Sequence, residues 1–173
     1  MRRRCRAPFG HCSKRQVRTG SDSVFTTAPL RFERDGADWP NREYSRFIEA
    51  AGLRWHVQVC GTGPVVLLVH GTGASTHSWR DVLPHLARRF TVVAPDLPGH
   101  AFTAERGADS LSLQGMADGV AHLCRALALT PRYGIGHSAG AAVLARACLD
   151  GALSLRRLVS LNGALLPFPG AVG

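Results

Sequence analysis

Apolar residues in this chain gather in short blocks separated by turn residues. Leu53, Trp55, Val57 and Val59 alternate with Arg54, His56 and Gln58, the period of a half-buried strand. That alternation puts His56 on the polar face, as a solvated residue. Ser45 to Ala50 reads as a preceding short strand and Ala51-Gly52 as the turn between them, an antiparallel hairpin. Val65 to Val69 is an uninterrupted apolar run, which suits a strand covered on both faces, as in a parallel sheet. Trp79, Leu83 and Leu86 mark one face of a helix, in which Pro84 is expected to mark a kink or a short first turn. Phe90 to Ala94 is the next buried strand, followed by a loop. Leu113, Met116, Ala117, Val120, Leu123, Cys124 and Leu127 then recur at helical spacing, with Ser112 as cap and Thr130-Pro131 as stop. Arg132 to Gly136 reads as a strand, Ala139 to Leu149 as a helix ended by a left-handed Gly151, and Leu158 to Leu161 as a further strand. Strands alternating with helices behind an opening hairpin predict an α/β fold with a mostly parallel sheet.

Charge changes this picture only at the start of the chain. The 173 residues carry a net +9, but residues 1–34 hold nine of the 21 Lys/Arg and two of the 12 acids. Residues 1–37 are therefore expected to be a basic, disordered extension, with order beginning near Asp38-Trp39-Pro40-Asn41 and one domain over 38–173. The extension lacks interleaved aromatics, so no nucleic-acid partner is expected. Arg2-Arg3-Arg4 is not followed by the apolar run of a secretory signal, and no run approaches the ~18 residues of a membrane span. Five cysteines at 5, 12, 60, 124 and 148 form no CxxC pair, which suits free thiols in a reducing, cytoplasmic setting. Cys5, His11 and Cys12 are too few and too scattered for a metal site, so no metal is expected.

The candidate chemistry lies at Gly134-Ile135-Gly136-His137-Ser138-Ala139-Gly140, between a strand and a helix. Gly136-x-Ser138-x-Gly140 in that setting is the pattern of a nucleophile elbow. A serine at the tip of so sharp a turn is strained, and side chains two residues to either side would collide with it; glycine removes the collision. Gly134-x-Gly136-x-x-Ala139 also fits a dinucleotide-binding fingerprint. That motif wants an acidic residue about twenty positions on, where this chain has Ser160-Leu161-Asn162. A P-loop is excluded because the single lysine, Lys14, is far from any glycine-rich turn that opens a helix.

Three pieces stand in order after three successive strands: His70-Gly71-Thr72-Gly73, Asp96-Leu97-Pro98-Gly99-His100, and the serine elbow. Together they resemble the α/β-hydrolase family over roughly residues 45 to 173. Trp39-Pro40-Asn41-Arg42-Glu43, Leu53 to Val59 and Ser160 to Gly170 further resemble the BchO group, α/β-hydrolase-like proteins associated with magnesium chelatase in bacteriochlorophyll synthesis. Ala101 stands where the family usually shows glycine.

The resemblance implies Ser138 as nucleophile and the N–H groups of Thr72 and Ala139 as an oxyanion hole. His70, Gly71 and Gly73 would shape the oxyanion loop, and Gly136, His137 and Gly140 the elbow. It implies a cofactor-free reaction on an acyl or ester bond, or a non-catalytic scaffold for a tetrapyrrole or for magnesium-chelatase subunits. Serine at the elbow, where haloalkane dehalogenases and epoxide hydrolases carry aspartate, points away from those two chemistries. The family's acid and catalytic histidine lie after later strands, beyond a lid. The expectation is thus an incomplete α/β-hydrolase fold, lacking lid and C-terminal strands, whose serine reacts feebly.

Overall fold

The computed structural model describes residues 30–165. The Cys5, His11 and Cys12 donors and the Leu166 to Gly170 segment lie outside the described residues. Strands β1 (Ser45–Ala50), β2 (Leu53–Cys60), β3 (Val65–Val69), β4 (Thr91–Pro95), β5 (Tyr133–His137) and β6 (Arg157–Leu161) form one sheet, in the order β1-β2-β4-β3-β5-β6. β1 pairs antiparallel with β2, and β2 antiparallel with β4; every other pairing is parallel. This is the expected α/β architecture, a mostly parallel sheet opened by an antiparallel hairpin.

The sheet is covered on both sides because its central strands alternate between two cores. Leu67 and Val69 of β3 and Val93 of β4 join Trp55 and Val57 on one face. There they meet Ala117, Val120, Leu123 and Cys124 of α4 (Leu113–Ala126), and Val143, Leu144 and Ala147 of α5 (Ala139–Leu149). Val66, Leu68, Val92 and Ala94 face the other way, against Trp79 and Leu83. Each fully buried leucine or valine contributes ~1.5–3 kcal/mol relative to exposure. Ser112 caps α4 through the Gly115 N–H at 3.0 Å, as its position predicts. Gly151, with φ +71°, follows α5 as the left-handed residue. Burial pushes the Cys124 thiol up to about 12, the behaviour of an inert core residue.

Three expectations are corrected. Helical turning begins ahead of Asp38, with α1 (Phe32–Asp35), and the Phe32 ring packs 5.1 Å from Phe102 and 5.2 Å from Phe47. His56 is fully buried rather than solvated, and Gln58 beside it is nearly so. The second face of β2 is sealed by Trp39, Phe32 and Phe102, which come from distant stretches of chain. The loop after β4 contains a short helix, α3 (Gly107–Leu111), whose five residues carry no readable apolar period. Pro84 sits in the first turn of α2 (Leu83–Leu86), which follows a separate 3₁₀ turn over Thr76–Trp79.

Candidate active site

Ser138 occupies the junction of β5 and α5 with φ 50° and ψ −119°. A non-glycine residue there stores roughly 1–3 kcal/mol of strain, so its surroundings must hold it. Its N–H donates to Leu161 O on β6 at 2.9 Å, and its carbonyl accepts from Ala141 N and Ala164 N, each at 3.1 Å. Gly136 and Gly140 make the bend sterically feasible. A Cβ on Gly136 would collide with the Ala141 backbone, and one on Gly140 with the carbonyl oxygens of Val69 and His70. Because those obstacles are backbone, neither glycine has a substitute that the turn could absorb. Ala139 opens α5, so its N–H has no acceptor within the helix and lies at the positive end of the helix dipole.

The turn is therefore at Ser138 and not at Gly134. β5 runs through Gly134 to His137, and the space a Gly134 side chain would fill is taken by Leu155 and Leu144. A dinucleotide fingerprint needs its first glycine at the turn itself.

The loop leaving β3 reaches the serine. A Cβ on Gly71 would stand 2.9 Å from Ser138 Cβ and 3.2 Å from His137 O. Thr72 follows, exposed, and Gly73 takes φ +70° with open space around it. His70 is fully buried at the base of this loop. The Leu97 N–H donates to its Nε2 at 2.9 Å, which leaves Nδ1 as the protonated nitrogen, donating to Gly71 O at 2.8 Å. Burial lowers the His70 pKa, and this tautomer leaves the ring no free nitrogen for catalysis. His70 is thus a brace between two loops.

Asp96, His56 and Thr76 form a second cluster. All three are fully buried. Asp96 accepts from His56 Nδ1 at 2.7 Å, from the Thr76 N–H at 2.7 Å and from the Phe102 N–H at 3.3 Å. The other His56 nitrogen lies 2.9 Å from Ser45 Oγ. Trp39 Nε1 donates to Thr76 Oγ1 at 3.0 Å. The sequence offered one usable signal for this cluster. Asp96 directly follows a run of buried strand residues, where a carboxylate must find several donors.

Among the described residues, no histidine ring is hydrogen-bonded to Ser138. His77, His85, His100 and His122 are each engaged with their own turn or helix. His137, the last residue of β5, lines a cleft of about 290 Å³ with Ser78, Trp79, Val82 and Leu161, and its Nδ1 lies on the Gly71 side, 3.3 Å from where a Gly71 Cβ would stand. The buried Trp79 Nε1 has no hydrogen-bond partner among the described residues.

A family model described as alpha/beta hydrolase fold matches residues 64–171. The chain belongs to the α/β-hydrolase fold family. It is 40% identical over 139 residues to the magnesium-chelatase 30 kDa subunit of Rhodobacter capsulatus, covering 79% of this chain and 48% of that protein. The α/β-hydrolase-fold crystal structure of a Burkholderia ambifaria protein aligns with TM-score 0.61 and 30% identity, covering 72% of this chain and 48% of the other. The epoxide hydrolase CorEH aligns with TM-score 0.68 and 29% identity, covering 75% of this chain and 45% of that one. The chain thus spans about half the length of the relatives it matches. No helix among the described residues is long and apolar enough to cross a membrane.

Proposed function

We propose that Ser138 is the nucleophile of a cofactor-free serine hydrolase acting on an ester, thioester or related acyl bond. The observation that carries this reading is the strained backbone of Ser138 at the crest of the β5–α5 turn, with Gly71 packed against its side chain. Attack by Oγ on an acyl carbon would form a C–O bond while a base takes the hydroxyl proton. The carbonyl oxygen would gain negative charge opposite the Thr72 and Ala139 N–H groups. Collapse would expel the alcohol or thiol, and water would then release the acid. An oxyanion donor is worth about 3–4 kcal/mol, and residual catalysis of about a thousandfold over water outlasts the loss of a triad member. With no histidine bonded to Ser138 among the described residues, the serine of this chain reacts slowly. Serine in place of aspartate separates it from epoxide opening, although CorEH shares the fold.

A second reading is favoured by the likeness to the magnesium-chelatase subunit. Here the hydrolase fold is a scaffold that binds a tetrapyrrole or a chelatase subunit in cytoplasmic bacteriochlorophyll synthesis, and Ser138 has no chemical task. Replacing Ser138 with alanine separates the two. Loss of acylation together with loss of pigment synthesis supports chemistry; pigment synthesis that persists without Ser138 Oγ supports the scaffold.

A further inference from the structure

Thr76 is held from two sides. Its N–H is taken by Asp96 and its hydroxyl by Trp39, and it stands four residues beyond Thr72 on the loop that touches Ser138. Between these points the loop has little of its own to fix it. Ala74 N–H donates to Gly71 O at 3.1 Å, while Thr72 and Gly73 are exposed. The position of Thr72 is therefore set by the two ends of the loop. His70 fixes the first end. The second depends on where the Asp96 carboxylate is held, and that carboxylate is oriented by His56.

The setting of His56 is that of a rigid part. Its ring is enclosed by Phe32, Phe47 and Phe102, with centroids 5.2, 5.4 and 5.3 Å away, and by Trp39 at 6.5 Å. One nitrogen is spent on Asp96 and the other on Ser45 Oγ, which also accepts from Gln58 Nε2 at 3.4 Å. Gln58 in turn donates to the carbonyls of Pro40 at 2.7 Å and Asn41 at 3.2 Å. Asn41 Nδ2 donates to Arg80 O, just past the 3₁₀ turn, at 3.0 Å. The hairpin and the Trp39-Pro40-Asn41 segment are thus stitched to one short stretch, residues 76–80. A carboxylate accepting several N–H bonds in a dry site has little freedom to move, and charge-assisted bonds of this kind are about twice as strong as neutral ones.

We infer that His56 and Asp96 are positioning residues, a buried imidazole–carboxylate clamp that fixes the Thr72 segment against Ser138. This deepens the proposed hydrolase reading and rests on it for its meaning. The clamp itself can be tested without any turnover. The full chain carrying His56→Leu loses the donor to Asp96, whereas His56→Asn places an amide N–H where Nδ1 stood. Three quantities are measured on each folded variant: the Thr72 amide chemical shift, hydrogen exchange at Thr76, and the rate at which a fluorophosphonate labels Ser138.

In His56→Leu the Thr72 amide signal should move, Thr76 exchange should quicken by about tenfold or more, and labelling should slow by about tenfold. His56→Asn should return all three toward wild type. An unchanged Thr72 signal and Thr76 protection in folded His56→Leu would overturn the clamp. So would changes that His56→Asn does not reverse, and so would altered exchange with unaltered labelling, since that is bracing without positioning. If wild-type Ser138 takes no label, the hydrolase reading fails and the amide measurements alone decide the clamp. Should His56→Leu not fold, Trp39→Phe serves instead. It removes the bond to Thr76 Oγ1 while keeping an aromatic ring beside His56 and Phe102, and must shift the Thr72 signal and quicken Thr76 exchange by about threefold or more for the clamp to stand.

Discussion

Gly71 and Ser138 lie so close that a methyl group on the glycine would stand 2.9 Å from the serine Cβ. One residue comes from the end of β3 and the other from the end of β5, so sheet pairing brings them together. Replacing Gly71 with alanine forces one of them to move. The expected result is destabilisation of about 1–3 kcal/mol, and labelling of Ser138 slowed more than that loss of folded protein explains. Urea denaturation and labelling kinetics on the same sample check both.

Gly140 meets a harder limit, because its absent side chain would strike the backbone carbonyls of β3 and the start of the loop after it. Backbone in a central strand cannot yield as a flexible side chain can. Gly140→Ala should therefore cost about 3 kcal/mol or more, or prevent folding. Leu149→Ala, on the exposed end of the same helix, should change stability by less than about 0.5 kcal/mol. Thermal melts of the pair check the contrast.

Ala101 takes φ 44°, a left-handed conformation that a Cβ disfavours. Relief of the steric cost is partly offset by the greater freedom glycine gives the unfolded chain. Ala101→Gly should thus stabilise by about 0.5–1 kcal/mol, read as a raised urea midpoint with an unchanged slope.

His70 carries a pH signature. Burial lowers its pKa from the ordinary 6.5, so the unfolded chain takes up a proton at a higher pH than the folded one. Its share of stability is complete above about pH 6.5 and declines as pH falls from there toward the lower folded value. His70→Gln keeps a polar group at the brace and cannot titrate. The stability of wild type relative to this variant should drop below pH 6.5 by up to ~1.4 kcal/mol per pH unit. Urea denaturation of both proteins between pH 7.5 and 5 measures it; a difference that does not vary with pH would contradict the buried neutral ring.

The readable parts of this fold were those governed by local periodicity. β1, β3 and α5 fall where the apolar pattern puts them, because each is bounded by turn residues and needs no distant partner to define its period. The bend between β5 and α5 was legible for a similar reason: Gly136, Ser138 and Gly140 solve a steric problem within five residues. His56 was not legible. Alternation along β2 shows two faces, but not that Trp39 and Phe102, 17 and 46 residues away in sequence, would cover the polar one. α1 was hidden within a run dominated by charge, where Phe32 alone supplies the packing. Asp96 was visible as part of a motif, yet its task depends on three donors contributed by separate segments.

The account stands or falls on whether the fold makes Ser138 a nucleophile, although no histidine ring is hydrogen-bonded to it among the described residues. Peptide mapping by mass spectrometry after incubation with a fluorophosphonate, with and without added imidazole, measures this directly. The expected result is slow modification confined to Ser138, quickened by imidazole, lost in Ser138→Ala and lost in urea. Modification spread over other serines, or proceeding at the same rate in the unfolded chain, would contradict it.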